Sequence, residues 1–117
     1  IKRCATLYDA NRCVGHIPKV ELVKGNACET MATYLEDNPH LVVSLLYLDF
    51  DLYEPTLAAL KTFRRRIPVG GIIAFDELNL KAWPGETKAV DVFFYFGVSN
   101  LKLERCAFGS TISWAVL

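Results

Sequence analysis

The chain has 117 residues, 52% of them apolar, and its 13 basic side chains balance its 13 acidic ones. That length suits one domain with one core. The composition excludes disorder, the zero formal net charge leaves no footprint for nucleic acid or an anionic membrane, and no stretch approaches the roughly 20 apolar residues of a membrane span.

Residues 1–18 are the least readable part: Ile1 to Asn11 has helical character and Gly15-His16-Ile17-Pro18 reads as a loop. Val20-Glu21-Leu22-Val23-Lys24 alternates apolar and polar, which predicts a strand near a sheet edge. Gly25-Asn26 turns the chain, Asn26 caps the next helix, and Glu29 three places on completes a capping-box pattern. Met31, Tyr34 and Leu35 supply that helix's apolar stripe, and Asn38-Pro39 stops it. Leu41 to Leu48 is almost continuously apolar, as expected of a central strand covered on both faces.

Glu54-Pro55 opens a second helix with proline at its first position, and Leu57, Leu60, Phe63 and Ile67 follow at helical spacing. Lys61 and Arg64 to Arg66 form its solvated, basic end, which suits the helix dipole. Pro68 and Gly70-Gly71 end it, and Gly71 to Phe75 predicts a second buried strand. After a loop over Leu78 to Pro84 comes a helix from about Gly85 to Phe96, with Ala89, Val90, Phe93 and Phe94 inward. Leu101 to Phe108 and Thr111 to Leu117 read as two strands of an antiparallel hairpin turning at Gly109-Ser110. The order is β-α-β-α-β-α-β-β, an α/β fold whose mostly parallel sheet ends in one antiparallel strand.

Two of these strands end in acid: Asp49 and Asp51 follow the first apolar run, and Asp76 and Glu77 follow the second. If the strands lie parallel and adjacent, these carboxylates meet at the carboxyl edge of the sheet, where open α/β sheets bind ligands. Hard oxygen donors there point to a divalent cation, a hydroxyl-bearing substrate, or both. His16 and His40 each precede a strand, so they fall at the opposite edge and read as surface histidines. Cys4, Cys13, Cys28 and Cys106 have neither a C-x-x-C pair nor zinc-ligand spacing, and free thiols in a reducing cytoplasm are expected. The chain opens on Ile1, without an initiator Met or a signal-peptide pattern, and reads as the interior of a longer protein.

Val23-Lys24-Gly25-Asn26, the run from Leu48 to Thr56 (Leu-Asp-Phe-Asp-Leu-Tyr-Glu-Pro-Thr), Pro68 to Glu77 and Gly85 to Asp91 together resemble the C-terminal part of a class I S-adenosylmethionine-dependent methyltransferase. The macrocin O-methyltransferase family is the best fit, over roughly residues 20 to 117. The resemblance implies a Rossmann-like methyltransferase sheet with a C-terminal antiparallel hairpin, here lacking the first two strands. The glycine-rich turn that cradles the cofactor's methionine is missing with them, and Gly70-Gly71, which precedes a strand, cannot replace it. The isolated chain is therefore expected to bind cofactor poorly and to be inactive, with an apolar edge that favours a homo-oligomer.

The resemblance further implies methyl transfer from S-adenosylmethionine to a hydroxyl of a sugar or other polyhydroxylated natural product. Asn26 and Ala27 would take the adenine side of the cofactor, Asp49, Asp76 and Glu77 would hold Mg²⁺, and Asp49 would also accept the hydroxyl proton. The family commonly has Asp or Asn where Glu77 stands. For Asp51, orienting the loop, binding substrate hydroxyls and capping the next helix with Glu54 all remain open. Trp83 and Lys81 lie where a lid over the substrate would form, although Trp83 packing on Pro84 serves equally. Tyr47, Tyr53 and the phenylalanines read as core. Other readings are a methyltransferase for a phenol, amine or carboxylate, and a non-catalytic fragment serving as an interaction module.

Overall fold

A computed structural model describes residues 1–95, 101–108 and 111–117. Its elements are α1 (Lys2–Ala10), α2 (Ala27–Asp37), β1 (Leu45–Leu48), α3 (Tyr53–Phe63) with a 3₁₀ turn over Arg64–Arg66, β2 (Ile72–Phe75), α4 (Gly85–Tyr95), β3 (Glu104–Arg105) and β4 (Ser113–Val116). The sheet order is β1-β2-β4-β3. β1 and β2 are parallel, with Leu48 opposite Phe75, and β4 runs antiparallel to both β2 and β3. Three strands therefore share one direction and only β4 opposes them, as expected for a mixed sheet finished by one reversed strand. The expected turn at Gly109-Ser110 lies outside the described residues, as does Phe96 at the end of α4.

Strand alternation divides the sheet into two unlike faces. Leu46, Leu48, Ile73 and Phe75 pack with Leu60, Ile67 and Val90 in the core on the helical side, where α3 sits between α2 and α4. Burying each such side chain is worth about 1.5–3 kcal/mol. Leu45, Tyr47, Ile72, Ala74, Trp114 and Val116 share the other face by register. Leu45 is 56% exposed there and Tyr47 45%.

Two sequence expectations fail here for one reason. The segment from Val20 to Lys24 is extended but forms no strand, and no other strand pairs with it among the described residues. Leu41 to Leu48 yields only the four residues of β1, an edge strand open on one face rather than a covered central one. Strand patterning describes what a segment can pair with, and among the described residues the first of these has no partner strand and β1 has one on a single side. The third helix also starts earlier than expected, at Tyr53, so Pro55 is its third residue.

The turn between α3 and β2 uses Gly70 at φ +86°, a conformation that costs other residues strain. The N–H of Gly70 donates to the Leu117 carbonyl (2.6 Å), and that of Leu117 to the Gly71 carbonyl (2.9 Å), which ties the end of the chain to the start of β2. At the opposite edge, Gly85 lets α4 begin directly against the turn after β1. A Cβ there would lie 2.2 Å from the Asp51 carbonyl oxygen and 2.7 Å from the Tyr53 nitrogen, both of them backbone atoms unable to step aside. Gly85→Ala in the full-length protein should therefore cost about 1–3 kcal/mol. The urea unfolding midpoint reads that loss, and an unchanged midpoint would mean that α4 does not press on this turn.

Candidate active site at the carboxyl edge

The parallel register of β1 and β2 places their acidic ends side by side. Asp49 follows Leu48, Asp76 follows Phe75, and the Asp76 N–H donates to the Leu48 carbonyl (3.0 Å). Asp49 and Asp76 also share a sheet face with Tyr47 and Ala74, two residues back on each strand.

Tyr47 corrects its assignment to the core: its hydroxyl donates to Asp76 Oδ1 on the open face. That bond, aided by the charges of Asp76, Asp49 and Glu86, pushes the Tyr47 pKa up to about 12. Asp49 is exposed and has no hydrogen-bond partner among the described residues. Asp51 sits at φ +59°, at the centre of a three-residue turn closed by the Leu52 N–H on the Phe50 carbonyl (2.6 Å). Aspartate is among the few residues that tolerate this region. The turn settles one open alternative, since α3 takes Leu52 as its N-cap and receives no side-chain cap from Asp51. Glu54 lies in the first turn, where a carboxylate suits the dipole.

Glu86, which sequence reasoning quoted only within a motif, holds the two acidic turns together. It is fully buried at the start of α4. Its Oε1 accepts from the Phe50 N–H (3.2 Å) and its Oε2 from the Glu77 N–H (3.1 Å). Phe50 and Glu77 are the residues immediately after Asp49 and Asp76. Burial raises the Glu86 pKa, the two backbone donors oppose the rise, and the charges of Asp51 and Asp76 add to it. The available signal was the position itself: an acidic residue after Pro84-Gly85, in the first turn of a helix whose neighbours are buried.

The three carboxylates expected to share Mg²⁺ reach the same edge without converging. Glu77 is half-buried with one oxygen, Oε2, enclosed and unpartnered. Its pKa is raised by burial first, and then by the adjacent Asp51 carboxyl. Among the described residues no three His, Cys, Asp or Glu side chains are grouped to hold a metal ion. The oxygens suit Mg²⁺ by type, but their placement does not form a ligand set.

Asn26 fulfils its capping role: Oδ1 accepts from the Cys28 N–H (3.1 Å), and Nδ2 donates to Glu29 Oε1 (3.1 Å). With the side chain so engaged, Ala27 offers the free group of the pair, a first-turn N–H with no partner among the described residues. A cleft of about 540 Å³ lies between residues 21–24 and α2, and Tyr34 donates across it to Glu21 (2.8 Å). His16, His40, Lys81 and Trp83 are exposed. Arg66 donates to the Pro39 carbonyl (2.5 Å), so the basic run is less solvated than its composition implies.

A mixed sheet with carboxylates at its parallel strand ends and helices on one face is a methyltransferase-like architecture. The O-methyltransferase NovP shares it, at TM-score 0.66 and 22% identity over 86% of this chain and 40% of that one, a likeness of fold alone. The sequence profile of macrocin-O-methyltransferase (TylF) matches residues 15–96. The apo structure of CalS11, the TDP-rhamnose 3'-O-methyltransferase of calicheamicin biosynthesis, is 34% identical at TM-score 0.90, covering 98% of this chain and 49% of that one. A second structure of CalS11, a calicheamicin methyltransferase, gives the same identity and TM-score with 44% of its chain covered. A search of curated proteins finds no match. The chain belongs to the macrocin O-methyltransferase family, corresponds to a C-terminal portion of it, and spans about half the length of the CalS11 structures.

The Glu86 bridge is directly testable. Glutamine offers one acceptor oxygen where the carboxylate offers two, so Glu86→Gln leaves one buried N–H unpaired, at a cost of about 1–3 kcal/mol. The raised pKa fixes the sign of the pH dependence. Folding favours the protonated form, so this stability is full below the unfolded pKa and lost as pH rises through the folded one. In metal-free buffer the melting temperature of the full-length protein should fall as pH rises from mildly acidic to neutral, and Glu86→Gln should flatten the slope. A variant that melts like wild type at every pH would refute the bridge.

Proposed function

We propose that the full-length protein transfers a methyl group from S-adenosylmethionine to a hydroxyl of a sugar or similar polyhydroxylated molecule. The observation that carries this reading is the meeting of Asp49 and Asp76 on adjacent parallel strand ends, in a chain of this family. CalS11 is a TDP-rhamnose 3'-O-methyltransferase, which supports a sugar hydroxyl as the acceptor class here.

Bound S-adenosylmethionine would supply an electrophilic methyl on a sulfonium, whose S–C bond would break as the O–C bond to the acceptor forms. This chain's residues present that oxygen and take its proton. Asp49, exposed and unpaired, is the base that receives it. Asp76, on the same sheet face, accepts a hydrogen bond from a neighbouring hydroxyl of the acceptor molecule and fixes its orientation. The Ala27 N–H, with Asn26 holding the turn, faces the adenine side of the cofactor. The metal-dependent form of this reading adds Mg²⁺ at Asp49 and Asp76. Uncompensated negative charge supports a cation there, but Glu77 completes the set only by turning away from Asp51.

Asp49→Asn in the full-length protein should lower methyl transfer about 10²- to 10⁴-fold. Retained activity would remove Asp49 from the chemistry. Chelation by EDTA, reversed by Mg²⁺, decides the metal: loss and recovery of transfer support the three-carboxylate set, and indifference to chelator rejects it.

Self-association is part of the same reading for this chain. Among the described residues no strand pairs with the outer edge of β1, and Leu45 and Tyr47 are exposed beside it. Such an edge pairs with another strand when one is available. Light scattering at high concentration should show a dimer or larger species, and a monodisperse monomer would count against it.

A further inference from the structure

Two carboxylates at the carboxyl edge have the same residue type and sheet face, yet they are held differently. Asp49 is exposed with no hydrogen-bond partner among the described residues. Asp76 is half-buried and accepts the Tyr47 hydroxyl at one oxygen, while its second oxygen has no partner among the described residues. The register brings this about: Tyr47 lies opposite Ala74, so its side chain rises on the face where Asp76 emerges two residues later. Tyr47 is 45% exposed, and its hydroxyl reaches the open face where Asp76 stands.

We propose that Tyr47 is a positioning residue of the methyl-accepting site, holding Asp76 so that one oxygen alone is presented to the acceptor. The inference rests on the functional reading above and assigns the two carboxylates different work. The phenol occupies one Asp76 oxygen and fixes the rotation of the carboxylate, so that the other oxygen alone faces the acceptor. Asp76 therefore anchors the acceptor, and Asp49, free of such a contact, keeps the role the functional reading gives it. Tyr47 acts through Asp76 and does not contact the reacting atoms. Phenylalanine at this position would keep the ring and its packing, but free Asp76 to rotate about its side-chain bonds.

The test uses Tyr47→Phe, Asp76→Asn and the double variant in the full-length enzyme with a hydroxyl acceptor. Tyr47→Phe should lower kcat about ten- to a hundredfold with little change in the acceptor KM. It should add nothing to Asp76→Asn, because the residue it positions is already altered. A purely structural tyrosine would show neither the kcat-specific loss nor the non-additivity. Wild-type kcat in Tyr47→Phe, or the same proportional loss on top of Asp76→Asn, would overturn the proposal. A readout independent of turnover is the carboxyl carbon resonance of Asp76, which should shift in Tyr47→Phe. An unmoved resonance would overturn the proposal whatever the activity. If wild type methylates no hydroxyl, the functional reading fails and the positioning role falls with it. An active wild type with an indifferent Tyr47→Phe sinks the positioning role alone.

Discussion

The carboxyl edge depends on one buried carboxylate. An ionisable group without solvent is costly unless its hydrogen bonds are made, and Glu86 makes two, both to backbone N–H groups of turns that carry the acidic residues. The dependence is mutual. Without Glu86 the N–H groups of Phe50 and Glu77 would be left unpaired, which native structures rarely tolerate. The bridge works only because Gly85 lets α4 start in contact with the Asp51–Tyr53 backbone. The first turn of α4 thus ties together the turns that follow two strands, 36 residues from one and 9 from the other.

The sheet's two faces have different consequences. On the helical side, α3 sits between α2 and α4, and the aliphatic core locks strand positions through dense packing. On the other side Leu45 and Tyr47 stand about half uncovered, on a strand whose second edge has no partner among the described residues. Rigidity comes from the first face, so the acidic turns can be held precisely although the second lies open. That separation explains how a chain spanning about half of the CalS11 structures keeps the same local fold at TM-score 0.90.

What the sequence revealed and concealed divides along the same line. Acidic strand ends, the Asn26 cap, the helix faces of Leu60 and Val90 and the reversed final strand all follow from local patterns with local causes. Tyr47 was hidden because a tyrosine in an apolar run has the composition of core. Only the register with Ala74 shows that it shares a face with Asp76. Glu86 was hidden because first-turn acids are usually explained by the helix dipole, and burial cannot be read from that position. The segment from Val20 to Lys24 misled for a third reason. Alternation marks the capacity to pair, and no partner strand is found among the described residues.

Concentrating Asp49, Asp51, Asp76, Glu77 and Glu86 at one edge creates a repulsion that the fold answers residue by residue. Neither ion pair among the described residues, Arg12 with Asp9 or Lys102 with Glu104, involves these five. Glu86 is offset by backbone dipoles, Asp76 by a phenol, and Glu77 by an upward pKa that favours its neutral form. Asp51 is committed to a left-handed turn, which fixes its backbone whatever its charge. Asp49 alone has none of these accommodations. It stays exposed, without a hydrogen-bond partner among the described residues, beside four acidic neighbours that are each held by a contact, by burial or by the backbone.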